Sequence, residues 1–247
     1  MSTKRLPASI SQCENAKSFV KIYNSMAIKH DHRGVWVDFV TIFACSISNV
    51  LDGEQRKQRA ERIDNILKRY PEDDQKRIFE LMNITNSELS SNPDQDFFGE
   101  IYNALDLYSK AKAQFFTPYN VSKMMSLMTF GNPMDEIREK GMISINDPCC
   151  GAGALLIAAA NVCKEQGVDI SRDTLFVAQD IDPVVAMMCY VQLAILGCAG
   201  YILVGNTFSP EPITRENIWL LPGMFNQVWA DRGYMAVAKN KKKGQNQ

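Results

Sequence analysis

Apolar residues recur at helical spacing through the first hundred positions. The run "GVWVDFVTIFACSISNVL", Gly34 to Leu51, is apolar enough for a buried helix. In "EQRKQRAERIDNILKRY" the residues Ile63, Ile66 and Leu67 keep that spacing among charges. "DDQKRIFELMNIT" opens on acidic residues, which suit a helix N-terminus. "NPDQDFFGEIYNALDLYS" sets Phe97, Phe98, Ile101, Leu105 and Tyr108 along one stripe. Residues 1–108 therefore read as a helical domain.

The pattern then changes. "YNVSKMMSLMTFG" predicts a helix ending at Gly131, and "GMISIND" a short strand. "GALLIAAANVCKEQG" predicts a helix stopped by Gly167, and "TLFVAQD" a second strand. "DPVVAMMCYVQLAILG" predicts a helix capped by Asp182, with Pro183 first and Gly197 at its end. "GYILVGN" is a third strand, and "MFNQVWAD" is a candidate fourth. "NPDQD" and "NPMDE" read as turns. Strand, helix, strand, helix, strand gives an α/β fold, a Rossmann-like parallel sheet of the doubly wound class, shortened after its third or fourth strand. It occupies residues 109–238, and "KNKKKGQNQ" (239–247) forms a basic, unstructured tail.

Composition narrows the function classes. A hydrophobic share of 46% and a net charge of -1 describe an ordinary globular chain without a global basic field. Seven cysteines, an odd number with no CxxC pair, argue for reduced thiols and a cytoplasmic location. With two histidines, both far from Cys149 and Cys150, no metal site is expected. The N-terminus has no apolar core for a signal peptide, and no stretch reaches the roughly 18 apolar residues of a membrane span. Arg56, Lys57, Arg59, Arg62, Lys68 and Arg69 suit either DNA phosphates or, better, a solvated helix face shared with Glu54, Glu61 and Asp64.

The turn "DPCCGAG", Asp147 to Gly153, joins the first strand to the following helix. Ligands of such sheets sit at the carboxyl ends of the strands. Gly151 and Gly153 permit close backbone approach, and Cys149 and Cys150 are small fillers of a crowded turn. Asp147 suits a ligand with a cationic end. Asp180 ends the second strand about thirty residues past the first glycine, where a carboxylate binds ribose hydroxyls. After the third strand, Asn206 can bond an adenine edge and Phe208 can lie on the ring; alternatively they form a plain turn with a core aromatic.

"AKAQFFTPYNVSKMMSLM", "DPCCGAGALLIAAA", "FVAQDIDP" and "GNTF" resemble, in that order, the motifs of N6-adenine DNA methyltransferases. The likeness is strongest to modification subunits of type I restriction systems and related phage and mobile-element methylases, and runs from about Phe97 to Phe208. It implies S-adenosyl-L-methionine as cofactor and DNA as partner. It assigns Phe116, Thr117 and Pro118 to the methionine end, and Asp147, Pro148, Cys149, Gly151 and Gly153 to the main loop. Asp180 and Ile181 fall at the ribose, and Asn206, Thr207 and Phe208 at the adenine. Asn206 replaces the usual Asp.

The family's catalytic loop, [Asn/Asp]-Pro-Pro-[Tyr/Phe], is absent, so the catalytic residues stay unassigned; Asn226 and Asp231 are weak candidates. Three functions compete: an adenine methyltransferase with an unusual catalytic loop, a non-methylating cofactor-binding partner or regulator, and a nicotinamide oxidoreductase. The last lacks the third glycine of G-x-G-x-x-G after Gly153. A shortened sheet leaves a flank where Trp219, Leu220, Leu221, Phe225 and Trp229 either meet a second copy or another subunit, or cap the core.

Overall fold

The computed structural model describes residues 8–107, 116–209 and 212–233. Helices α1 (Ala8–Gln12), α2 (Glu14–Ala27), α3 (His32–Leu51), α4 (Arg56–Leu67), α5 (Glu72–Ser91) and α6 (Phe97–Ala104) form the N-terminal half. After α7 (Tyr119–Thr129) and α8 (Pro133–Lys140) come β1 (Ile143–Asp147), α9 (Ala154–Glu165), β2 (Thr174–Asp180), α10 (Pro183–Ile195) and β3 (Gly200–Val204). The described residues close with β4 (Ile218–Leu220), a 3-10 turn (Pro222–Phe225) and α11 (Gln227–Asp231). Tyr108, the proposed boundary beside it, and the basic tail lie outside the described residues.

The buried helix α3 forms the spine of the helical half. Its Trp36, Phe39 and Phe43 meet Phe98 of α6 edge-on at ring separations of 5.7 to 6.5 Å. At 20 residues with mean hydropathy 1.6, α3 has the length and composition of a membrane span, against the sequence expectation. Its side chains are nonetheless packed inward, and its Asp38 carboxylate is held by Arg69 at 2.7 Å and Tyr70 at 2.7 Å. This is how a core helix passes a test of length and hydropathy.

The sheet runs β1-β2-β3-β4, with the first three strands parallel and β4 antiparallel to β3. The fourth strand is thus "IWL" rather than "MFNQVWAD", which folds instead into the 3-10 turn and α11. A helix also replaces the turn expected at "NPMDE": Asn132 accepts the Met134 amide, Pro133 opens the helix, and Gly141 closes it at φ 79°.

Strand order advances in one direction from β1 to β3. Two right-handed crossovers then fall on the same face. Accordingly α9 and α10 pack together with Ile143, Phe176, Ala178 and Ile202. On the other face Leu175, with Val177 beside it, joins a small cluster with Ala199, Met224 and Trp229, while Ser144 and Asn146 are exposed. A doubly wound sheet is covered on both faces; the described strands are covered fully on one and on the other only along the start of β2, because no reversal of strand order occurs among them. The reversal point, where such sheets bind ligands, would lie at β1, whose outer edge is unpaired among the described residues.

The C-terminal apolar residues line the opposite edge. Trp219 (4% exposed), Leu221 (0%) and Trp229 (0%) are buried in this chain's own core. Arg59 is buried too, its guanidinium 4.0 Å over the Trp219 ring and its Nη2 donating to the Ile218 carbonyl at 3.2 Å. It is therefore a strut between α4 and β4, in neither of the roles expected for the basic residues of α4. Exposed apolar surface falls instead on α7, through Met124, Met125, Leu127 and Met128, while its buried Ser122 and Ser126 permit close packing on α9.

Candidate cofactor site

Asp147, Asp180 and Asn206 stand at or just beyond the carboxyl ends of β1, β2 and β3. The parallel register sets Asp147 beside Ala178 and Asp180 beside Val204, so the three ends form one rim.

The glycine turn is shaped by its own neighbours. Gly151 (φ 54°) and Gly153 (φ 99°) both take left-handed backbone. A Cβ at Gly151 would come within 3.2 Å of the Phe116 ring, and one at Gly153 within 2.8 Å of Cys189 Sγ. Glycine is needed at both positions for conformation and for space. Gly153 also starts α9, whose first turn faces the pocket.

The turn is tied to the other strands. Asp147 Oδ1 accepts the Cys149 amide at 3.1 Å. Asp180 Oδ2 accepts the Gly151 amide at 2.9 Å, and its Oδ1 the Asp182 amide at 2.9 Å. Thr207 Oγ1 donates to the Pro148 carbonyl at 2.6 Å, fastening the β3 turn to the first loop. Asp182 caps α10 through Val184, as the sequence indicated.

Burial pushes the Asp147 carboxyl above the usual range; the Cys149 bond opposes this and the Asp180 charge adds to it. Burial likewise raises Asp180, against the backbone bonds from Asp182 and Gly151. Both are polar groups stripped of part of their water, with no cation beside them among the described residues.

The pocket is lined by Asp96, Phe116, Thr117, Asp147, Cys149, Cys150, Gly151, Ala152, Ala154 and Leu155. A larger, shallower hollow of about 520 Å³ between α3 and α4 lies in the helical half, away from the strand ends. Of the two cysteines only Cys150 is a buried filler; Cys149 is exposed at the pocket, correcting the shared role the sequence suggested. Pro118 and Pro148 are exposed, as are Ile181 (68%) and Phe208 (93%), so Phe208 is an open ring and not a core aromatic. Asn206 turns its Oδ1 back onto the Phe208 amide at 3.0 Å.

Asn226 and Asp231 lie elsewhere. Asn226 donates to the Ser171 carbonyl at 3.3 Å, and the neighbouring Arg232 to the Gly141 carbonyl at 2.8 Å. Both acceptors precede the strands, so α11 sits below the sheet. The pocket is at the other end of β2, seven residues long and so roughly 20 Å. In this arrangement neither residue reaches the cofactor pocket.

The model of the N-6 DNA methylase family matches residues 93–245. The chain belongs to the N-6 DNA methylase family. A "Type I restriction enzyme MjaIX methylase subunit" of Methanocaldococcus jannaschii is 28% identical over 122 residues, 47% of this chain and 20% of that one. The chain thus spans about a fifth of the length of that curated relative. Among solved structures, a Listeria monocytogenes protein assigned as a class I S-adenosylmethionine-dependent methyltransferase aligns at TM-score 0.43 and 14% identity, over 81% of this chain and 56% of that one.

Asp96, which lines the pocket, and Gln192, which holds it from behind, escaped sequence reasoning. Asp96 was absorbed into a turn, although it caps α6 by accepting the Gly99 amide at 2.9 Å. Gln192 is fully buried in the otherwise apolar α10. Its Nε2 donates to Asp96 Oδ1 at 2.8 Å and to the Ala152 carbonyl at 2.9 Å, while its Oε1 accepts the Phe98 amide at 3.1 Å. A lone amide in an apolar helix was the available signal, because a buried polar group needs partners.

Proposed function

We propose that the chain binds S-adenosylmethionine across the ends of β1, β2 and β3 and serves methylation of the N6 amine of adenine in DNA. The observation that carries this is the gathering of carboxyl groups about the glycine turn, Asp147, Asp180 and Asp96, with no basic side chain lining the pocket among the described residues. Such a pocket fits a ligand bearing sulfonium and ammonium charge. It disfavours the anionic pyrophosphate of a nicotinamide dinucleotide.

When bound, the cofactor supplies an electrophilic methyl group. Asp180 keeps free lone pairs on both oxygens and accepts from the ribose hydroxyls. Asn206, its oxygen committed to Phe208, offers its amide N–H groups to an adenine ring nitrogen, and Phe208 offers a face. Phe116 and Thr117 cover the methionine end beside the turn.

A second polypeptide completes the base side. What supports this is the outer edge of β1, unpaired among the described residues, together with the placement of Asn226 and Asp231 below the sheet. The apolar C-terminal residues contribute little to that contact: Trp219, Leu221 and Trp229 are interior, and Phe225 is the exposed large apolar side chain of their segment.

Calorimetry of the full chain tests the cofactor: S-adenosylmethionine should bind and NAD should not, and the reverse overturns the reading. Labelled methyl transfer to DNA should be weak for the chain alone. A monomer by light scattering that methylates adenine robustly would remove the second polypeptide.

A further inference from the structure

Asp96 is 3% exposed, yet its two oxygens are used unequally. Oδ1 accepts both the Gly99 amide and Gln192 Nε2. Oδ2 accepts no hydrogen bond among the described residues, and the carboxyl group lines the cofactor pocket beside Phe116, Thr117 and Asp147. Burial pushes its carboxyl above the usual range, and the like charge of Glu100 adds to this. A Cβ at Gly99 would lie 2.0 Å from Oδ2, so glycine there leaves that oxygen its space.

Capping α6 does not account for this. A serine or threonine hydroxyl caps a helix as well and buries no charge. A buried carboxylate is costly unless a cation or several donors meet it, and here one oxygen is left for an incoming group. The position selects which group. Asp96 lines the same pocket as Phe116 and Thr117, which the cofactor reading puts at the methionine end, whereas Asp180, which that reading puts at the ribose, braces the turn through Gly151 and does not line that pocket. Asp96 is therefore on the amino-acid side.

We propose that Asp96 accepts the α-ammonium group of the S-adenosyl amino acid, with Gln192 positioning it by joining Asp96 to the Ala152 carbonyl of the glycine turn. Asp96 then couples α6 to the cofactor turn, and binding of an amine tightens the joint between the helical half and the sheet. This rests on the cofactor reading above.

The test uses two thioether ligands that differ at the amino-acid end. S-adenosylhomocysteine carries the ammonium; 5′-methylthioadenosine lacks the whole amino acid. Asp96→Asn keeps the oxygen that caps Gly99 and meets Gln192 but turns a donor toward the pocket. It should weaken S-adenosylhomocysteine by roughly tenfold to a hundredfold and leave 5′-methylthioadenosine within about twofold. Asp96→Ser, which keeps only a capping hydroxyl, should show the same selectivity. Equal losses for both ligands, or no loss for either, would overturn the role of Asp96 while leaving the cofactor reading intact. A wild-type chain that binds neither ligand nor S-adenosylmethionine would overturn the cofactor reading itself.

Discussion

Asp180 reaches across the strand ends to Gly151, its Oδ2 accepting that amide at 2.9 Å, so the proposed ribose ligand also braces the glycine turn. Asp180→Ala should therefore do two things. Losing charge-assisted bonds to the cofactor should cost about 1.5–3 kcal/mol of affinity. Losing the brace should speed hydrogen exchange at Gly151. Asp180→Asn keeps an acceptor for the amide and separates the effects: slow exchange restored, affinity still reduced. Calorimetry and exchange on both variants check this, and unchanged affinity in Asp180→Ala would remove Asp180 from the ribose site.

The glycine turn carries its own stability cost. At Gly153 an alanine would meet a left-handed φ of 99° and Cys189 Sγ at 2.8 Å. Gly153→Ala should destabilise the fold by about 1–3 kcal/mol in urea denaturation. Adding Cys189→Ala should recover the clash but not the backbone strain, so rescue should be partial. Complete rescue would show that space alone selects glycine there.

How far the sequence carried these assignments varies with the range of the interaction. Thr174–Asp180 was readable as a strand to the residue, and Asp182-Pro183 as a helix start, because both signals are local. Asn132-Pro133 carries the same start signal but was read as a turn; Asp135 and Glu136 in the first turn with Arg138 and Lys140 in the last were the further evidence for a helix. "MFNQVWAD" failed for a different reason. A short apolar run does not distinguish strand from helix, and the decision rests on the Trp229 indole donating to Ser171 at 2.8 Å, 58 residues away. Asp147, Asp180 and the glycines were legible because a βα turn places them by topology. Asp96 was not, since its partner Gln192 is 96 positions distant.

Acidification should weaken cofactor binding. In the free protein burial holds Asp96, Asp147 and Asp180 above the usual carboxylate range. A raised folded-state value means the folded chain keeps protons that the unfolded chain has released. These groups thus contribute stability at low pH that is lost as pH rises through their folded values. A cationic ligand favours the ionised forms, so its affinity should climb over the same interval and its binding should release protons. Calorimetry in two buffers of different ionisation heat measures the release. Proton uptake on binding would contradict the arrangement.

The thiols at the turn should separate by access. Cys149 is exposed at the pocket, whereas Cys150 and Cys189 are buried, and the Cys150 contact and burial raise the Cys189 thiol well above its ordinary value. Maleimide should label Cys149 well ahead of Cys150 and Cys189, and S-adenosylmethionine should slow it. The variant combining Cys149→Ser and Cys150→Ala should stay folded with no change in metal content. A stoichiometric zinc or iron in the purified wild type would reverse the assignment of these residues.

Arg59 supplies the sharpest contrast between sequence expectation and structure. Its neighbours Lys57, Arg62 and Lys68 are exposed, but Arg59 is 4% exposed, 4.0 Å over Trp219 and 3.9 Å from the buried Asp52. Its Nη1 has no hydrogen-bond partner among the described residues, so the guanidinium is held by the ring and by charge more than by a full set of bonds. Arg59→Ala removes the strut between α4 and β4 and leaves the Asp52 charge without its basic neighbour, at a cost of about 3 kcal/mol. Arg59→Met, which keeps the apolar stem, should cost less, because part of the strut is packing. Lys57→Ala and Lys68→Ala should leave stability within about 0.5 kcal/mol. Urea denaturation ranks the four variants. If Arg59→Ala proved as benign as the lysine changes and instead reduced DNA affinity, Arg59 would belong to the surface and not to the joint.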